Sequence, residues 1–107
     1  MSKIFEESHI EEFKTHMTKT ITDKLGAKEF EDTADDTASI VNLAMDKLEA
    51  MSVKGYKYAV DFIVMPETTA YRRNTSFWWA KNTDKCIKVN VECANVRGYL
   101  VVYAMKQ

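Results

Sequence analysis

Around Gly55 the spacing of apolar residues changes, and that change limits what the chain can fold into. Before it, apolar side chains recur every three or four residues; from Tyr56 onward they recur every second residue. The first period marks one stripe of a helix and the second one face of a strand. Helices followed by strands, without interleaving, predict an α+β domain with its helices on one face of an antiparallel sheet. The 107 residues fit a single domain over residues 1–107.

Ile10, Phe13, Met17, Ile21 and Leu25 form the stripe of a first helix, over about residues 8–25. Ser8-His9-Ile10-Glu11 has the form of a capping box, and Gly26 supplies a stop. A second helix is expected over about residues 33–53, capped from among Asp32, Thr33 and Asp35. Its buried face is Thr37, Ile40, Val41, Ala44, Met45, Leu48 and Met51, and Gly55 ends it. The short link makes the pair an antiparallel hairpin.

Four strands are predicted to follow, over about residues 56–65, 71–80, 86–92 and 97–105. In the first, Tyr58, Val60, Phe62 and Val64 share one face and Lys57, Ala59, Asp61, Ile63 and Met65 the other. Pro66 ends its pairing. The third has Ile87, Val89 and Val91 inward. The last is apolar on both faces, with Tyr99, Val101 and Tyr103 opposite Leu100, Val102 and Ala104, so it belongs in the middle of the sheet. Two helices cover one face only. The remaining face, with Ile63, Met65 and part of the last strand, calls for a second subunit, and a homodimer is the economical answer.

The second strand carries the candidate site. Tyr71, Arg73, Thr75, Phe77 and Trp79 alternate with Arg72, Asn74, Ser76, Trp78 and Ala80. Its aromatic half needs cover on both sides, whereas its polar half suits a sheet edge or a subunit boundary. Arg72, Arg73, Asn74, Thr75, Ser76, Phe77 and Trp78 are therefore the candidates for a shared strand offering an edge to a partner peptide. Alternation leaves open which face would meet that peptide. Packing alone also accounts for Phe77 and Trp78, and a solvated strand end accounts for the two arginines.

A formal net charge of −1 gives no basic footprint, which argues against nucleic acid or an anionic membrane as main partner. No apolar run approaches the roughly 20 residues of a bilayer span, and the start lacks a signal-peptide core. An intracellular setting follows, in which Asn74-Thr75-Ser76 is silent as a glycosylation acceptor. Cys86 and Cys93 would stand about 20 Å apart along one strand, beyond disulfide reach, and are expected as free thiols. His9, Glu12 and His16 share a helical face, but positions seven apart lie about 10 Å apart along the axis, too far to converge on a metal. Asp61, set in an apolar strand, is expected in a cross-strand ion pair rather than as a general base. No nucleotide loop, nucleophile elbow or paired-cysteine motif is present. No cofactor and no enzymatic activity are expected.

Tyr56-Lys57-Tyr58 opening a strand that ends Ile63-Val64-Met65, then Ser76-Phe77-Trp78, Thr83-Asp84 and Tyr99-Leu100-Val101-Val102, follow one another as in Tctex-type cytoplasmic dynein light chains. The chain resembles that family over essentially its whole length. The resemblance implies a homodimer whose second strand, here about Tyr71 to Trp79, crosses to the partner's sheet. It also implies an edge there for an extended segment of the dynein intermediate chain and for cargo peptides, gripped in two equivalent grooves. It places the protein in the cytoplasm and cytoskeleton, with a cilium or flagellum as a further setting. The alternative is a dimeric peptide-binding scaffold working outside the motor. Trp79, the Arg72-Arg73 pair and the glycine-free tail Ala104-Met105-Lys106-Gln107 depart from the family pattern and bear on peptide preference.

Overall fold

In a computed structural model, the structure describes residues 6–51, 55–67 and 85–106. Helix α1 spans Glu7–Leu25 and buries Phe13, Met17, Ile21 and Leu25, the predicted stripe. Its cap is not Ser8. Glu6 is the N-cap, and its N–H donates to His9 Nδ1 at 3.0 Å. The imidazole three residues on thus does for Glu6 what Glu11 was expected to do for Ser8, and Ser8 lies within the first turn.

Gly26 ends α1 without adopting the left-handed conformation common at helix stops. Its backbone stays helical (φ −53, ψ −37), and its N–H donates to the Thr22 carbonyl at 2.9 Å. A Cβ there would lie 2.6 Å from the Thr22 oxygen. The glycine is therefore needed for a close approach to the preceding turn.

A single 3-10 turn, Phe30–Asp32, leads into helix α2, Ala34–Ala50. Thr33 is its N-cap, but the Thr33 hydroxyl donates backwards to the Phe30 carbonyl at 2.8 Å and closes the turn instead of capping the helix. Ile40, Ala44 and Leu48 are buried as predicted, with Met45 packed beside them. Asp36 is buried too, which the apolar pattern did not predict. Lys28 Nζ meets its Oδ2 at 2.5 Å, across the link between the helices. The helix ends at Ala50, short of the expected residue 53, and positions 52–54 lie outside the described residues. Gly55, at φ 83, makes the left-handed turn into the sheet.

Three strands follow: β1 (Tyr56–Pro66), β2 (Lys85–Glu92) and β3 (Val96–Lys106). They form an antiparallel sheet in the order β1-β3-β2. The chain's last strand is therefore central among the described strands, as its two apolar faces required. Val60 stands opposite Val102, which in turn stands opposite Ile87. The predicted fourth strand, over about residues 71–80, lies outside the described residues.

Both helices lie on one face of the sheet, α1 over β2 and α2 over β1. Glu12 and Lys47, early in α1 and late in α2, approach to 3.7 Å, as an antiparallel hairpin requires. Between helices and sheet, Ile21, Leu25, Ile40, Leu48, Ile87, Leu100 and Val102 form a closed apolar core.

Gly98 makes the packing possible at its centre. It lies on the helix-facing side of β3, where a Cβ would stand 3.1 Å from Phe62 Cζ and 3.2 Å from Ile21 Cγ2. The Phe62 ring occupies the space that a side chain on the middle strand would need. Gly98→Val should therefore destabilise the fold by about 1–3 kcal/mol, the usual cost of overpacking. Urea unfolding at fixed protein concentration measures it, and a midpoint equal to the wild type's would show that this contact can relax.

Candidate functional site

All seven candidate residues, Arg72, Arg73, Asn74, Thr75, Ser76, Phe77 and Trp78, lie outside the described residues. The surroundings of that segment are described. β1 and β2 both run antiparallel to β3, so they are parallel to each other on its two flanks. β1 finishes at Pro66, opposite Val96, and β2 starts at Lys85, opposite Ala104. Those ends are eight residue steps apart along β3, about 27 Å at strand rise. Glu67 N–H donates to the Asn95 carbonyl at 3.1 Å and holds the chain at the Pro66 end.

The sheet face away from the helices carries Ile63, Tyr99, Val101 and Tyr103, all partly exposed, together with Cys86. Neither described helix covers it. Arg97 lies on the same face, paired with Met65 and Glu92 in register; its Nε is buried and has no hydrogen-bond partner among the described residues. A buried donor left unsatisfied is uncommon in a finished fold.

A second surface lies between α2 and β1. Thr37, Ala38, Val41 and Asn42 from the helix, with Val60 and Phe62 from the strand, line an open groove of about 350 Å³. Asp61 borders it. Val41, expected on the buried face of α2, is only partly buried. The register sets Val101 directly opposite Asp61.

The remaining sequence candidates are dispersed. His9 accepts a backbone hydrogen bond at the start of α1, and Glu12 faces Lys47. Among the described residues, no group of three or more histidines, cysteines or carboxylates is placed to hold a metal ion. Both cysteines are free and partly buried, Cys86 on the open face and Cys93 against the core. No described helix is long and apolar enough to cross a membrane.

Among the described residues, the helices cover one face of the sheet, and the opposite face is apolar and partly exposed. The sequence model of the Tctex-1 family matches residues 7–105, nearly the whole chain. The chain belongs to the Tctex-1 family. No individual curated protein gives a match. Members of this family are dynein light chains, generally non-catalytic, and membership associates the chain with the dynein motor.

Within this Tctex-1 fold both thiols hold their protons more tightly than a free cysteine does. Burial raises the pKa of Cys86, partly offset by Lys88, and burial raises that of Cys93. The Tyr58 hydroxyl is also raised, by burial first and then by Tyr56, whose ring stacks on it at 6.4 Å. A group that holds its proton more tightly when folded stabilises the fold below its unfolded pKa and loses that contribution as pH rises through the folded value. Stability should thus hold steady below the ordinary thiol value of 9.0 and fall above it, with Tyr58 adding to the loss above 10.0. Urea midpoints at about pH 8 and about pH 10.5 test this, and a higher midpoint in alkali would reverse the assignment.

Proposed function

We propose that the chain is a non-catalytic, dimeric light chain of cytoplasmic dynein that holds an extended segment of the dynein intermediate chain, and cargo peptides, by strand addition. The segment from Tyr71 to Trp79 passes to the second copy's sheet, and Arg72, Arg73, Asn74, Thr75, Ser76, Phe77 and Trp78 form the shared edge. Recognition then runs through main-chain N–H and C=O groups, with alternate side chains setting preference. Two such edges per dimer engage two chains, so tethering raises the apparent affinity.

The observation that carries this is the half-covered sheet. Its open face presents Ile63, Tyr99, Val101 and Tyr103, with the unsatisfied Arg97 Nε among them. Burying that face against a second copy removes apolar area from water and brings polar groups within reach of Arg97. The parallel placement of β1 and β2 supports the shared strand as well. The chain must travel about 27 Å between their ends, and a ten-residue extended segment covers that length.

A proline at Thr75 or Ser76 deletes one ladder donor and fixes φ. It should either dissociate the dimer or weaken capture of an intermediate-chain peptide by roughly tenfold or more, about 1.4 kcal/mol. Sedimentation and fluorescence anisotropy read the two outcomes. A wild-type protein that is monomeric at micromolar concentration would sink the shared strand. A stable dimer that ignores the intermediate-chain peptide would favour a scaffold outside the motor.

A further inference from the structure

We propose that Ser8, in the first turn of α1, is a phosphorylation site for a protein kinase that selects acidic substrates. Ser8-His9-Ile10-Glu11-Glu12 puts carboxylates three and four residues after a hydroxyl. That pattern has two physical uses. The serine can cap a helix, or it can enter a kinase whose basic cleft accepts the acidic side chains beyond it. The structure removes the first use. Glu6 is the N-cap, and its N–H donates to His9 Nδ1, so Ser8 lies inside the helix with no capping duty. Ser8 is exposed, and its hydroxyl makes no hydrogen bond among the described residues.

A hydroxyl with a carboxylate three residues on also occurs at Thr20 and Thr33, and the fold withholds both. Thr20 lies in the middle of α1, next to the buried Ile21, and its hydroxyl donates to the His16 carbonyl at 2.9 Å. Thr33 is 3 % exposed, and its hydroxyl is spent on the Phe30 carbonyl. An acceptor hydroxyl has to reach the terminal phosphorus in line, so the residues around it must leave the helix to enter the cleft. Around Ser8 that costs little. The first N–H groups of a helix have no carbonyl partner within it, and Phe13 is the first buried residue of α1. Residues 8–12 can therefore unwind with Phe13, Met17, Ile21 and Leu25 still in the core. Glu11 is exposed, and Glu12 is held only by a surface pair with Lys47 at 3.7 Å. A nucleoside triphosphate supplies the group: Ser8 Oγ attacks its terminal phosphorus, the bond to the leaving diphosphate breaks, and the hydroxyl proton passes to the kinase's base. The product adds about −1.5 to −2 charges to a stretch that already holds Glu6, Glu7, Glu11 and Glu12. Modification thus turns the start of α1 into a strongly negative surface without touching the core.

The test incubates the full chain with magnesium ATP and a purified acid-directed serine/threonine kinase, with a base-directed kinase in parallel. Intact mass and peptide mapping should show one phosphoryl group, on Ser8, from the acid-directed enzyme. Ser8→Ala should abolish the incorporation, and Glu11→Lys should slow it by at least about tenfold. Both substitutions are at exposed positions, and circular dichroism should show both variants folded as the wild type is. Modification of Thr20 or Thr33 in the folded chain, an unaltered rate in Glu11→Lys, equal modification by the base-directed kinase, or no modification of Ser8 would overturn the proposal.

Discussion

A sheet has two faces, and among the described residues a two-helix hairpin packed across three strands covers one of them. Everything distinctive about this chain follows from that mismatch. The core on the helix side is closed, with Ile21, Leu25, Ile40, Leu48, Ile87, Leu100 and Val102 all but excluded from water. β3, in the middle, is apolar on its other face too, through Tyr99, Val101 and Tyr103. Apolar area left in contact with water on a central strand is a driving force for association.

Chain direction sets where association is possible. With β3 between them, β1 and β2 point the same way, and parallel strands cannot be joined by a tight hairpin. The stretch between Pro66 and Lys85 has to carry the chain back along the sheet. A long return of that kind can serve its own sheet or a neighbour's, whereas a two-residue turn cannot. The sequence there joins two arginines to three successive aromatics, Phe77, Trp78 and Trp79, which suits a strand buried at one end and presented at the other.

How much of this was legible in the residues depended on the period of the pattern. The stripes of α1 and α2, the alternation of β2 and the central place of β3 all follow from apolar spacing, because burial repeats with the geometry of the element. Local polar detail was harder to read. Ser8 and Glu11 fit a capping box, yet Glu6 and His9 offer the same spacing two residues earlier and begin the helix there. Gly26 matched a left-handed stop but stays helical, and the position takes glycine because a Cβ would collide with the Thr22 carbonyl. Asp36 falls outside the apolar stripe of α2, and its burial is accompanied by a pairing with a lysine eight residues back. Gly98 was the available clue that went unused: glycine inside a strand marks a close approach, here the ring of Phe62. The candidate segment Arg72 to Trp78 lies outside the described residues, and main-chain recognition of a partner leaves no side-chain signature to read in a sequence.

Charge divides the surface in a way that composition hides. A net charge of −1 reads as neutral, yet the exposed stripe of α2 holds carboxylates alone while its lysine is committed to Glu12. The basic pair Arg72-Arg73 lies in another part of the sequence. Electrostatic sorting acts over roughly a Debye length, about 8 Å at physiological salt, so the carboxylates of α2 act on what comes close to that helix, whatever the balance of the whole chain.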